Sequence, residues 1–450
     1  MNKASITNKS KLEQILDIAK KNGASQAEII QKSWTENPIN FENNRLKTLE
    51  SNESSGISVR VIKNNKIGIS SSTNPDEIER AAISAIEASE FGPEATFEFS
   101  KETLNSPTEE KSTNLELPLE NLVERGTNAI EFLRTFHKDI LISGGFNLGH
   151  GETLYLNSNG ISGKRKKSIY SSNFYAHLVR GEDFLGIYDG NNSLDDFPNE
   201  KDMCNKIFEK LNFSKETISM TTKKYPVIFT PQAAASIFID ILAVLLNGKV
   251  IEQQISPLID KLDKKVFDEK LSLVEDPFSG TQKADFDDEG MKTKKKDLIK
   301  SGIVNSFYFD LNTASKMNKK QNKPVCSSTG NGFKGGLAIP PSPSLTSIQV
   351  KEGKIPLKDM IKSIKEGILI DQVLGAGQSN TLAGEFNVGI DLGFKIKDGN
   401  IQGRIKNCMV AGNIFELLKD NFEISSDREW VSGSELIPAF FIHDLTVAGK

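Results

Sequence analysis

The chain has 450 residues, 37% hydrophobic and 26% charged, an ordinary globular composition that is long enough for two or three domains with full cores and that excludes disorder throughout. A formal net charge of -4 and a pI near 5.8 give no general attraction to nucleic acid, and the locally basic runs at 164–167 and 294–296 read as solvated turns. Cys204, Cys326 and Cys408 form no CxxC pair, residues 1–6 lack the apolar core of a signal peptide, and the longest apolar run, 237–246, is interrupted by Asp240 and too short for a bilayer; a soluble, cytoplasmic protein is expected.

In chain order, Leu12, Ile15, Leu16 and Ala19 recur at helical spacing and stop at Gly23, which predicts an amphipathic helix lying on a sheet. Ile57, Val59 and Val61 alternate with polar residues, Asn64-Asn65 supplies a turn able to take positive φ, and Ile67 and Ile69 alternate again, as in a β-hairpin. Asn74-Pro75 opens a second helix, asparagine as cap and proline at the first helical position, with Ile78, Ala81, Ala82, Ala85 and Ile86 as its apolar stripe. From 91 to 116 the chain turns acidic, with scattered Pro, Ser and Thr, and reads as a linker.

Pro118 starts a helix that is expected to face Leu119, Leu122, Val123, Ile130 and Leu133 inward, and residues 140–146 read as the strand that follows. Asn157-Ser158-Asn159-Gly160 has the chemistry of a hairpin turn between 153–156 and 168–178, and 199–213 reads as a closing helix. Residues 225–229 are a candidate buried strand, and Pro231 opens a helix ending near Asn247-Gly248. A helix at 356–366 precedes β-like segments at 385–390, 392–396, 401–405 and 438–447. The order predicts an α+β fold: an N-terminal α/β-type sandwich of helices on a sheet (1–92), a linker (93–117), a central domain (118–222) and a mostly β C-terminal domain (223–450).

The stretch 275–336 carries the most specific pattern. Asp285-Phe286-Asp287-Asp288-Glu289-Gly290 reads most plainly as a surface turn, because Asp and Gly hold tight bends. An oxygen-rich metal loop is the sharper alternative, although the spacing departs from the Asp-x-Asp-x-Asp-Gly calcium loop. A charged run follows, then Ser301-Gly302-Ile303 turning into an aromatic segment, then Ser327-Ser328-Thr329-Gly330-Asn331-Gly332. Taken in this order, these motifs resemble the C-terminal domain of the TldD/PmbA family, described as cytoplasmic bacterial and archaeal metalloproteases in which a TldD-type and a PmbA-type (TldE) subunit work as a complex. The family's label as a modulator of DNA gyrase finds no DNA-binding motif in this chain.

The resemblance implies that in TldD-type subunits the helix matching 231–247 carries His-Glu-x-x-x-His, two imidazoles binding zinc and the glutamate acting on the metal-bound water. Here the matching positions fall at about Ile239, Asp240 and Val244, and the helix holds no histidine. His137, His150, His177 and His443 lie at no zinc-ligand spacing from one another, which leaves a convergence of His150, His177 and Cys326 in space as the alternative metal site. The late cysteine of TldD-type chains has no counterpart in 427–434.

The implied role is that of the non-catalytic PmbA-type subunit: no catalytic or metal residues of its own, zinc in the TldD-type partner, and a share in a channel for unfolded or extended peptides. The candidate substrate-binding residues are Ser328, Thr329, Asn331 and Lys334, with the loops 326–336 and 375–384 lining the channel. A domain rich in strands and glycines suits gripping of a peptide backbone by a β edge. Cys326 as a nucleophile lacks a histidine nearby in sequence. The alternative is a self-associating, homodimeric peptide-binding scaffold without protease activity. Neither a membrane nor a nucleic acid is expected as a partner.

Overall fold

The computed structural model describes residues 9–74, 76–104 and 118–449. Helix α1 (Lys9–Lys21) buries Leu12, Ile15, Leu16 and Ala19, and the chain leaves it through Gly23 at φ 90°. Strands β1 (Gln26–Glu42), β2 (Arg45–Leu49), β3 (Asn52–Lys63) and β4 (Lys66–Ser72) follow. Asn64 and Asn65, at φ 49° and 61°, make the two-residue left-handed turn that matches the twist of the β3–β4 hairpin. Helix α2 (Ile78–Ser89) starts later than Asn74-Pro75 suggests: Asn74 Oδ1 accepts from the Asp76 N–H, and Pro75 lies outside the described residues.

Then come α3 (Leu119–Arg134), β5 (Leu141–Asn157), β6 (Ser162–Arg180), β7 (Asp183–Ser193) and α4 (Glu200–Phe213), the last capped by Asn199, whose side chain accepts from the Lys201 N–H. These strands form one antiparallel sheet in the order β4-β3-β1-β5-β6-β7, with β2 on β1. The register of β1 on β5, from Glu28↔Asn157 to Phe41↔Gly144, joins the segments read as an N-terminal domain (1–92) and a central domain (118–222) into a single layer. Alternation along β1 turns Ala27, Ile29, Ile39 and Phe41 to one face, the first two beneath α1 and α2 and the last two beneath α3 and α4. Glu28, Ile30 and Lys32 face the other way.

Of the expected linker 93–117, residues 105–117 lie outside the described residues. The segment before them is packed: Phe99 is 1% exposed, and the rings of Phe97 and Phe99 lie 5.4 and 5.0 Å from the Arg60 guanidinium.

The C-terminal part opens with β8 (Lys223–Phe229) and a helix that changes pitch twice: α5 (Pro231–Ala234), one π turn (Ala235–Ile239) and α6 (Asp240–Leu246). Thr230 caps it with Pro231 at the first position. The principal elements that follow are β9 (Leu273–Glu275), β10 (Lys296–Lys300), α7 (Leu311–Gln321), β11 (Ile348–Val350), α8 (Leu357–Ser363), β12 (Glu366–Leu374), β13 (Glu385–Lys397), β14 (Asn400–Ile405), β15 (Met409–Asn413), β16 (Phe422–Val431) and β17 (Glu435–Ala448). Helix α8 stops at Ser363, short of the expected 366, because Glu366 already pairs with Lys397 in the β12–β13 ladder.

The pairings β8–β12, β12–β13, β13–β15, β15–β17 and β17–β8 close on themselves, so five strands make a ring without a free edge between them. Phe238, on the π turn, seats its ring 5.2 Å from Phe229 at 90° and 5.1 Å from Phe440 at 11°. It thereby fastens the helix to this barrel. The fold is α+β with a mostly β C-terminal part. No helix among the described residues is long and apolar enough to cross a membrane.

Candidate functional site

The acidic turn 285–290 is buried, contrary to the surface position that its composition suggests. Asp287, Asp288 and Glu289 are 0%, 2% and 0% exposed. Burying three carboxylates demands partners, and the inner face of the sheet supplies them. Arg60 on β3 donates through Nε to Glu28 Oε1 at 2.7 Å and through Nη2 to Glu289 Oε1 at 3.0 Å. Lys32 on β1 and Arg165 on β6 hold the two oxygens of Asp288 at 2.8 and 2.5 Å. Tyr155 on β5 donates toward Glu28 Oε2 at 3.1 Å and the Glu289 carbonyl at 3.0 Å. The basic run 164–167, read as a solvated turn, is therefore strand, with Arg165 turned inward.

Within the turn, Asp287 Oδ1 accepts from the N–H groups of Glu289 and Met291, and Oδ2 accepts from that of Gly332 at 2.8 Å. Glu289 Oε2 accepts from the Leu311 N–H at 2.7 Å, which satisfies an open donor at the start of α7. Gly290 stands at φ 70° with the Tyr155 ring where a Cβ would go, and a Cβ on Gly332 would meet the Glu289 carboxylate. The glycines of both motifs are thus there for close approach.

The ionisation of these groups follows their surroundings. Burial and the neighbouring Asp288 push Asp287 up to about 7, against three backbone N–H groups that favour its charge. Burial raises Glu289 well above the usual carboxylate range, opposed by Arg60. Burial works on Asp288 too, but Arg165 and Lys32 hold it below the ordinary value. Burial, with Arg60 adding, brings the Lys334 ammonium down to about 8.

The two ends of the stretch 275–336 meet beside this seam. Glu275, 0% exposed, pairs with Lys296 at 2.5 Å and accepts from Asn331 Nδ2 at 2.8 Å and from the Thr346 N–H at 2.9 Å. Lys296, in the other run read as a solvated turn, is thus an inner partner as well. Of the expected substrate-binding residues, Asn331 is fully buried: its Oδ1 accepts from Lys296 and Thr329, and its Nδ2 also donates to the Ser344 carbonyl. Thr329 Oγ1 accepts from the Phe309 N–H, and Ser328 Oγ accepts from the Gly330 N–H. These three residues brace the loop. Lys334 donates its backbone N–H to Asp288 at 3.0 Å, while its half-buried ammonium makes no ion pair among the described residues.

Asn331→Ala is therefore expected to lower stability by about 1–3 kcal/mol, since it leaves a buried carboxylate short of a donor. Lys334→Ala is expected to melt with the wild type; a thermal melt of the two variants checks both outcomes.

Tyr308 leads from this seam to a cleft of about 380 Å³ along the interrupted helix. It is lined by Ser236, Ile237, Asp240, Val244 and Asn247 from the helix and its end, by Ala376, Gly377, Ser379 and Thr381 from the loop that follows β12, and by Phe386. The structure thus brings the loop expected at 375–384 to the cleft, while 326–336 belongs to the seam. Of the three positions matched to a zinc motif, Asp240 and Val244 line the cleft and Ile239 is 0% exposed in the core. A π turn beside a cleft is a common mark of a functional helix.

His150 and His177 sit at well-separated positions of the β5–β6 ladder, opposite Ser168 and Leu141. Among the described residues no group of three or more His, Cys, Asp and Glu side chains is placed to hold a metal ion. Cys326 donates to the Ala314 carbonyl at 3.5 Å, and burial pushes its thiol up, the reverse of what a nucleophile needs. Glu28, Lys32, Arg60 and Tyr155 have no part in the sequence reading of the site; the available signal was a charged residue inside an apolar strand, as in Ile57 to Ile62 around Arg60.

Known proteins carry the same architecture. Residues 222–449 match the PmbA/TldA metallopeptidase C-terminal domain, and residues 27–89 match PmbA/TldA metallopeptidase domain 1. The chain belongs to the PmbA/TldD metallopeptidase family. It is 25% identical over 427 residues to an uncharacterized protein of Methanocaldococcus jannaschii, covering 91% of this chain and 93% of that one. It is 26% identical over 237 residues to metalloprotease PmbA of Escherichia coli O157:H7, a match that spans 51% of this chain and 47% of the relative. The crystal structure of TldE from Thermococcus kodakarensis superposes with a TM-score of 0.86 at 22% identity, covering 97% of this chain and 100% of that one, which shows a shared fold.

Proposed function

We propose that this chain is the PmbA (TldE)-type subunit of a two-chain metalloprotease, paired with a TldD-type subunit that holds the zinc and acting on unfolded or extended peptides. The observation that supports this reading is the lining of the cleft. Where the TldD-type helix is expected to present imidazoles this chain has Ile239, buried in the core, and Val244, with Asp240 at the glutamate's position, and no residue lining the cleft is histidine or cysteine. A single carboxylate without nitrogen or sulfur donors does not fit a zinc site. No catalytic step is therefore assigned to this chain, and its part is to bind and shape.

The test is reconstitution. The isolated chain is expected to leave unfolded casein intact, its mixture with a TldD-type subunit is expected to cleave it, and Cys326→Ala is expected to change neither result. Chelator-sensitive cleavage by the chain alone would contradict the proposal.

A further inference from the structure

Beyond Asn331 the chain crosses the inner face of the sheet and leaves a cation there without a counter-charge. Gly332 lies against the Glu289 carboxylate that Arg60 holds, Lys334 donates its N–H to Asp288, and the Leu337 side chain covers Gly56, where a Cβ would come within 2.5 Å of it. Arg60, Ser58 and Gly56 are alternate residues of β3 that face one way, opposite Glu28, Ile30 and Lys32 of β1. Lys334 therefore falls between anchor points at Arg60 and Gly56, on the stretch of β3 that holds Ser58.

The carboxylates around it are already taken. Glu28 accepts from Arg60 and Tyr155, and Glu289 from Arg60 and the Leu311 N–H. Asp288 accepts from Arg165 on one oxygen and, on the other, from both Lys32 and the Lys334 N–H. Lys32 and Arg165 thus share a single negative charge, and the Lys334 ammonium adds a third cation that makes no ion pair or hydrogen bond among the described residues. Its charged neighbours are Arg60, Glu28, Asp288 and Lys32, and burial, with Arg60 adding, weakens its hold on the proton. Ser58 is 3% exposed, and its hydroxyl has no hydrogen-bond partner among the described residues. A surplus of cations beside an unused buried hydroxyl costs free energy that an entering anion would recover.

The donors suit a carboxylate, with one oxygen for the Lys334 ammonium and the other for the Ser58 hydroxyl. The loop roofs the place from Gly332 to Leu337, but at Gly335 a Cβ would meet nothing nearer than Ile339 Cδ1 at 4.0 Å, so one side stays open. A roofed site with one open side takes the end of a chain more easily than its middle.

We infer that Lys334 and Ser58, beside Lys32, form a binding site for the C-terminal carboxylate of an extended peptide. The inference rests on the peptide-handling role proposed above and adds to it where the end of the peptide is held.

The experiment uses the full chain and three peptides of one sequence, dye-labelled at the N-terminus: the free C-terminal acid, its C-terminal amide, and the amide with glutamate as last residue. Fluorescence anisotropy is expected to show the free acid binding about tenfold more tightly than the plain amide, a ratio that one charge-assisted contact supplies, and the glutamate amide binding like the plain amide. The ratio is expected to fall to about one in Lys334→Met, which keeps the stem and removes the charge, and by about threefold in Ser58→Ala. Should Lys334→Met fail to fold, Ser58→Ala decides. Equal binding of acid and amide, no binding of the acid, a glutamate amide that binds as tightly as the acid, or a ratio unchanged in either folded variant overturns the inference. The same preparation is mixed with a TldD-type subunit and unfolded casein: cleavage without an acid preference removes the site and leaves the subunit assignment standing, while an acid preference without cleavage upholds the site and removes the assignment.

Discussion

Replacing Arg60 by alanine is expected to destabilise the protein by about 3–5 kcal/mol, the cost of breaking a buried ion pair from one side. The guanidinium is 4% exposed and bridges Glu28 on the same sheet to Glu289 of the C-terminal part. Its removal strands two buried carboxylates and takes away the cation that Phe97 and Phe99 flank. Burial works to discharge Arg60, but Glu28 and Glu289 outweigh it and hold its proton more tightly than usual, so the group stays charged at every accessible pH. Arg60→Lys keeps the charge but loses the fork that reaches both acids, and should fall between the two. Lys47→Ala, which breaks the exposed Lys47–Glu42 pair, should leave the midpoint unchanged. Urea unfolding of the three variants measures the series; an Arg60→Ala midpoint equal to that of Lys47→Ala would mean that the seam does not hold the two parts together.

Stability is expected to fall as the pH rises from about 4 to about 7, the opposite of the trend that paired surface carboxylates produce. Asp287 has a folded value of about 7 against an ordinary 3.8, and Glu289 is raised as well. A carboxyl whose folded value is raised binds more protons in the folded state than in the unfolded one. Its contribution is therefore fully present below the unfolded value, is lost as the pH climbs through the folded value, and stays lost above it. Glu435, also near 7, adds to the same trend. Asp288 works in the other window: its value is depressed, so its contribution is present above the unfolded value and is lost only as the solution becomes strongly acidic. The optimum should lie on the acid side of neutrality. Asp287→Asn should flatten the slope while lowering stability at every pH, because its amide turns a donor toward one of the three N–H groups that Asp287 accepts from. Urea midpoints at about pH 5, 7 and 8 test the sign, and a midpoint that climbs across this interval refutes it.

What the sequence makes legible is local. Asn64-Asn65, Asn157 and Asn199 each mark a turn or cap through their own chemistry, and the structure places the β3–β4 turn, the β5–β6 turn and the start of α4 there. Pro231 likewise opens its helix as read. Strand β1 escaped because its 17 residues include Pro38 and a run of polar side chains, with little alternation to announce a strand. Strand β5 reads as two pieces because Gly144, Gly145, Gly149 and Gly151 break its apolar pattern; a Cβ at Gly149 or Gly151 would collide with Trp34, which lies across them.

The buried acidic turn was illegible for a different reason. Composition says surface, and what overrules it lies far along the chain: Arg60 is 229 residues from Glu289, and Arg165 is 123 from Asp288. No window of sequence contains both partners. The resemblance pointed to the right stretch, while the role of Asn331 there, holding Glu275 and Lys296 together, emerged only from the packing.

The central claim is that this chain completes a TldD-type subunit. The most direct measurement is the native mass, by size-exclusion chromatography with light scattering, of the purified chain mixed with a TldD-type subunit from the same cell. The account predicts a species containing both chains. A mixture in which each chain associates only with itself would contradict it, and the self-associating scaffold would then be the better description.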